Sequence, residues 1–193
     1  MHTIETHTVR KGGENYRVII EVDDDAPNPL NDESGLGILL SLNHRHRNYD
    51  PEAVERAVGC NQDFVPLSYF EHGLCRWAVA GELPPGADCP WDSVSFAGLW
   101  LPDEDTLQEA RGLEGDARRQ FMRESARSAC EIYTSWCNGE VYRFRVDRIS
   151  VCPCCGSEQV EEADACSGIY GLDACRTEAM AMFPAGLSEA SGD

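Results

Sequence analysis

The stretch DARRQFMRESARSACEIYTSWCNGEVYRFRVDRI, residues 116–149, decides the fold class. From Asp116 to Asn138 apolar residues recur at helical spacing, with Ala117, Phe121, Ala129, Ile132 and Trp136 on one stripe, and Gly139 supplies a left-handed stop. From Val141 to Ile149 the period drops to two, with Tyr142, Phe144 and Val146 on one side. An amphipathic helix that runs directly into an alternating strand predicts helix packed on sheet. Working outward, the pattern predicts strands at 16–22, 37–42, 65–70, 74–80 and 93–101. It predicts helices at 50–58, from Pro102 onward, and at 172–183. The expectation is one α+β domain over 16–183: a mainly antiparallel sheet with two or three helices packed on one face. Residues 1–15 show no period and are read as a flexible lead-in, 150–166 as a cysteine-rich connection, and 184–193 as a flexible tail.

The 193 residues hold 34 Asp plus Glu against 16 Lys plus Arg, a formal net charge of −18, and Lys11 is the sole lysine. Neutralising phosphates needs clustered cations, so this composition speaks against direct nucleic-acid binding. The longest apolar run, 37–42, is far too short for a transmembrane helix. The start Met1-His2-Thr3-Ile4-Glu5 lacks the basic and apolar regions of a secretory signal, so the expected compartment is the cytoplasm. In a reducing compartment the ten cysteines imply buried thiols or a metal site rather than disulfides.

Three groups of residues carry chemistry. The carboxylates are uneven: no Lys or Arg interrupts Val18 to His44, which holds Asp23, Asp24, Asp25, Asp32 and Glu33, or Trp77 to Ala110, which holds Asp103, Glu104 and Asp105. Carboxylates held at phosphate-like spacing compete for a cationic groove, while a solvated acidic surface is the plain alternative. Cys152-Pro153-Cys154-Cys155-Gly156 has the spacing that brings Cys152 and Cys155 to one zinc ion, with Cys166 and Cys175 as candidates for the remaining ligands. Reduced structural cysteines or a redox dithiol are the alternatives there. His44-Arg45-His46-Arg47 lies between a strand and a helix; with Asp50 and His72 it is the candidate centre of a metal-assisted hydrolase or nucleotide-modifying enzyme. Neither Gly-x-Ser-x-Gly nor His-Glu-x-x-His accompanies it. Arg119, Arg123 and Arg127, at four-residue spacing, form a cationic stripe whose ordinary role is ion pairing.

Four segments, in this order, carry a resemblance. They are Asn28-Pro29-Leu30 through Leu36-Gly37 to His44-Arg45; Cys89-Pro90-Trp91-Asp92-Ser93; Glu131-Ile132-Tyr133-Thr134-Ser135-Trp136-Cys137-Asn138-Gly139-Glu140-Val141-Tyr142; and Asp164-Ala165-Cys166-Ser167-Gly168-Ile169-Tyr170-Gly171. The chain resembles a group of acidic proteins without assigned function encoded by bacteriophages and conjugative elements. It departs from that group at Cys166-Ser167-Gly168, where a Cys-Trp-Gly-like run is expected, and in an enlarged connection around Pro84-Pro85. The resemblance implies a mobile-element origin and transfers no catalytic residue. Together with the charge distribution it leads to the expectation of a non-enzymatic inhibitor of the anti-CRISPR or anti-restriction type. Such an inhibitor would bind a basic host protein or ribonucleoprotein complex through acidic mimicry of DNA. The histidine-centred enzyme and a zinc-stabilised interaction module are the alternatives.

Overall fold

The computed structural model describes residues 2–30, 35–60, 62–87, 89, 91–181 and 183. The chain is α+β, with eight strands in two antiparallel four-stranded sheets and four helices. In chain order these are β1 (Thr3–Lys11), β2 (Glu14–Val22), β3 (Ile38–Ser41), α1 (Pro51–Gly59), β4 (Val65–His72), β5 (Leu74–Val79) and β6 (Ser93–Leu101), then α2 (Glu104–Glu109), α3 (Gly115–Cys137), β7 (Val141–Val151), β8 (Glu158–Tyr170) and α4 (Leu172–Ala181). Where a single domain was expected, the chain divides into two compact units: Asn28–Asn138, and the segments on either side of it together.

The flanking unit is the sheet β1-β2-β7-β8 with α4 on one face. Alternation in β2 and β7 places Val18 opposite Val146 and Ile20 opposite Phe144, and these four pack with Cys175 and Ala179 of α4 and with Phe183. Full burial of such an aliphatic side chain contributes about 1.5–3 kcal/mol. The lead-in expected at 1–15 is instead β1. Its threonines favour extended backbone, but only Val9 of its nine residues is buried, so no alternation of hydrophobicity marks it. Gly12 and Gly13, with φ of 60° and 89°, form the two-residue turn whose twist suits a hairpin, closing Lys11 onto Glu14. The cysteine-rich connection expected at 150–166 is mostly ladder: β7 runs to Val151 and β8 pairs with it from Glu158. Ile169 is the one buried residue of β8, and a charged strand at a sheet edge resists pairing with other chains.

In the central unit, helices cover both faces of the sheet β3-β6-β4-β5, not one. Leu39, Leu67, Val79, Trp77 and Trp100 meet Met122, Ala126, Ala129 and Tyr133 of α3, while Leu40 and Leu99 meet Val54 and Ala57 of α1. The buried stripe of α3 is therefore rotated from the expected one: Ala117 is exposed, and Phe121 and Trp136 pack only at the rim of the core. Two carboxylates set helix starts, with Asp50 accepting the Ala53 N–H (2.8 Å) and Asp103 the Thr106 N–H (2.8 Å). Among the described residues, no helix is long and apolar enough to cross a membrane.

Gly98 lies in β6 opposite Ser41 of β3 and Leu67 of β4. A Cβ there would sit 1.9 Å from the Leu40 carbonyl oxygen, so side-chain rotation cannot relieve the clash. Gly98→Ala is expected to destabilise the protein by about 1–3 kcal/mol. Gly59→Ala, where a Cβ meets nothing within 4 Å, is expected to change stability by less than ~1 kcal/mol. Denaturant midpoints of the two variants check both values.

Candidate functional site

The loop between β3 and α1 is folded back onto the strand that precedes it. The Ser41 N–H donates to the Asn48 carbonyl (2.8 Å), the Asp50 N–H to the Ser41 carbonyl (3.0 Å), and Asn48 Nδ2 to the Leu39 carbonyl (3.1 Å). Asn43 tightens the turn by accepting the Arg45 N–H (3.0 Å). This closure turns His46 inward, where its Nδ1 meets Ser41 Oγ at 2.7 Å and its ring lies 4.3 Å from Tyr69 and 5.1 Å from Trp77. The aromatic series continues through Tyr133 to Trp136, and the Arg47 guanidinium lies 5.0 Å from the Trp136 ring.

Two thiols face the same cavity, which has a volume of about 290 Å³. The Asn138 side chain takes the Cys75 N–H on Oδ1 and donates Nδ2 to the Cys75 carbonyl, both at 3.0 Å. Cys137, the preceding residue, is thereby fixed beside Cys75. Hydrogen bonding from Cys75 and Tyr133, together with the charge of Arg47, lowers the Cys137 thiol against a burial effect that raises it. The Cys75 thiol, donating to Cys137 and partly buried, is pushed well above the usual thiol range. Burial lowers the His46 imidazole, and its Nε2 is buried without a hydrogen-bond partner, as is Asn48 Oδ1. The pocket can seat a flat ligand against aromatic rings and offers one acidified thiol.

The four residues of the expected histidine centre do not converge. His46 alone enters the cavity. His44 is exposed and edge-on to Tyr49, Asp50 caps α1, and the His72 side chain, 77% exposed, sits 3.3 Å from Asp92. The arginine stripe of α3 is taken up by ion pairs: Arg119 with Asp116, and Arg123 and Arg127 together on Glu82, whose carboxyl they hold below its usual range.

The acidic segments divide into structural and free carboxylates. Asp23 accepts the Gly168 N–H at 2.9 Å. Asp103 caps α2 and also accepts the Gly37 N–H at 3.1 Å; burial works to raise its carboxyl, but these hydrogen bonds hold it below the usual range. Asp24, Asp25, Glu104 and Asp105 are exposed and form no ion pair among the described residues. Asp32 and Glu33 lie outside the described residues.

At the tip of the β7–β8 hairpin the sulfur atoms of Cys152, Cys154 and Cys155 all lie within 4.8 Å of one another. The Cys154 thiol and the backbone N–H groups of Cys154 and Cys155 pull the Cys152 thiol down to about 6. The expected further ligands are placed elsewhere. Cys166 pairs with Phe144, about seven residues along the ladder from Val151, which is roughly 23 Å. Cys175 is fully buried in α4 against the sheet. Neither reaches an ion held by Cys152 and Cys155. The sequence reading also left Cys154 out of this thiol cluster, and it missed the meeting of Cys75 with Cys137, for which no local spacing gives a signal.

Comparison with known proteins finds no matching family model, no matching curated protein and no matching solved structure.

Burial keeps His46 neutral below its ordinary pKa of 6.5, so near and below that pH the unfolded chain binds the proton more readily than the folded one. The resulting stability is present in full above about 6.5 and is lost as pH falls towards the folded value. Denaturant midpoints taken at about pH 7.5 and 5.5 should fall more for the wild type than for His46→Gln. Equal falls would show that the imidazole titrates normally.

Proposed function

We propose that the protein acts by binding, as a mobile-element inhibitor of a host defence complex of the CRISPR or restriction type, with exposed carboxylates standing in for phosphates. The observation that carries this reading is which carboxylates are paired. Arg17, Arg118, Arg119, Arg123, Arg127, Arg143, Arg145, Arg148 and Arg176 are engaged in ion pairs within the fold. Asp24, Asp25, Glu104 and Asp105 keep their charge exposed and unpaired among the described residues. With a net charge of −18, the surface attracts a cationic groove and repels nucleic acid. The resemblance to phage and conjugative-element proteins supports the setting, and cytoplasmic action in the host follows from it. The partner is a basic protein or ribonucleoprotein. The histidine-centred enzyme lacks comparable support, because its four residues are dispersed.

Exposed charges at the rim of an interface act mainly through the rate of encounter. Reversing Asp24, Asp25, Glu104 and Asp105 to lysine together is expected to slow association with a purified restriction or CRISPR complex roughly 10–100-fold, with little change in dissociation. The same variant should fail to protect a targeted phage in cells that carry the defence system, where the wild-type protein protects it. Melting curves must match, because Glu104 and Asp105 also favour the α2 N-terminus by ~0.3–1 kcal/mol each. Full protection by the reversed variant, or a complex indifferent to salt between about 50 and 500 mM, overturns the proposal.

A further inference from the structure

We propose that the tip of the β7–β8 hairpin is a metal site in which Cys152, Cys154 and Cys155 bind one zinc ion through three thiolates and leave its fourth position open to solvent. The proposal is independent of the binding function above.

The loop is built to hold three sulfur atoms together. The Cys152 N–H donates to the Ser157 carbonyl (2.8 Å) and the Gly156 N–H to the Cys152 carbonyl (2.9 Å), so the chain reverses within six residues, 152–157. Cys152 Sγ and Cys154 Sγ are 2.9 Å apart, and Cys155 Sγ is 3.0 Å from Ser157 Oγ. Backbone N–H groups of Cys154 and Cys155 help to lower the Cys152 thiol, and that of Ser157 helps to lower the Cys155 thiol. Backbone donors aimed at sulfur orient metal-bound thiolates and spread their charge. An ion about 2.3 Å from each sulfur sets S···S separations of ~3.8 Å, which small side-chain rotations reach from a cluster already within 4.8 Å.

An all-sulfur ligand set selects thiophilic ions, zinc foremost among the divalent ones, over calcium or magnesium. On binding, the thiols that are still protonated give up their protons to solvent and three sulfur–zinc bonds form, with no change in oxidation state. Zinc prefers four ligands, and among the described residues no further His, Cys, Asp or Glu joins the group. Water or a small anion therefore completes the shell in the isolated chain. The site also lies outside every hydrophobic cluster: Val151, the last β7 residue, is 64% exposed. Zinc thus orders the hairpin tip without supporting the core, unlike a zinc finger, whose fold depends on its metal.

The test uses the full chain, produced with zinc in the medium and purified under a phosphine reductant without chelator. Elemental analysis is expected to find one zinc per chain. Cys152→Ser, Cys154→Ser and Cys155→Ser should each weaken zinc binding at least roughly tenfold against a chromophoric chelator, with far-UV circular dichroism and the thermal midpoint unchanged. Cys166→Ser and Cys175→Ala should keep the metal. Cobalt substituted for zinc should show sulfur-to-cobalt charge-transfer absorption in the wild type whose intensity fits three thiolates. That reading needs no variant to fold. The site is refuted if the reduced chain neither retains nor takes up zinc, or if the triple serine variant still holds it. It is equally refuted if Cys166→Ser releases the metal, or if the three thiols are tied in a disulfide that resists the reductant.

Discussion

Antiparallel pairing of β2 with β7 is the constraint on which the chain's organisation depends. It joins residues 15–22 to residues 142–149, segments separated by the whole of the central unit. Closing a flexible loop of about a hundred residues costs several times the thermal energy, although the cost grows only slowly with length. The ladder recovers it through apolar pairs on one face, Val18 with Val146 and Ile20 with Phe144, which α4 then covers. β1 and β8 add hydrogen bonds at either edge of this pair and little apolar burial, as their exposed side chains show. The intervening segment must therefore supply its own core, and it does so with α3 on one face of a second sheet and α1 on the other.

Within that core, side chains of α3 take up backbone groups at the edge of β5, as buried polar groups require partners. Asn138, at the end of α3, completes the edge of β5 through Cys75, and Thr134 accepts the Trp77 N–H one turn earlier. These two side chains dock the helix in register with the strand. The same docking creates the cavity, since it sets Cys137 beside Cys75 under the His46 loop. The orphaned His46 Nε2 and Asn48 Oδ1 at this spot are the buried side-chain exceptions among the described residues. Unsatisfied polar atoms cost about 1–3 kcal/mol each, so the pocket has an energetic reason to hold a polar guest or water.

The sequence was legible wherever burial was one-sided and strong. β2, β6 and α3 lie where their periods place them, and Asp50 and Asp103 start helices as carboxylates ahead of apolar runs do. The apolar run Ile38-Leu39-Leu40 placed β3 but not its surroundings: helices lie on both faces of the sheet where one was expected, and β3 is an edge strand. Legibility failed at the edges. β1 and β8 bury Val9 and Ile169 alone, so their strand character rests on pairing that one segment cannot display. In α3 the bulky Phe121 and Trp136 suggested the inward direction, but close approach to β5 needs the small Ala126 and Ala129, with Tyr133 reaching beyond them. The zinc reading sought partners for Cys152 and Cys155 by counting cysteines; the structure places Cys154 beside them, and ladder register rather than spacing removes Cys166 and Cys175.

Charge links the two proposals without making either depend on the other. A chain with 34 carboxylates against 16 basic residues repels itself, and internal ion pairs reduce that repulsion only for the carboxylates they reach. Exposed pairs contribute little to stability, typically below about 1 kcal/mol, so Arg123 and Arg127 of α3 serve mainly to fix where Glu82 lies. The negative field left over has opposite effects on different ligands. It raises local cation concentration, which favours a metal ion at a hairpin already rich in thiols. The same field works against phosphate, so the proposed complex with a nucleic-acid enzyme would form through that enzyme's cationic groove and not through its substrate.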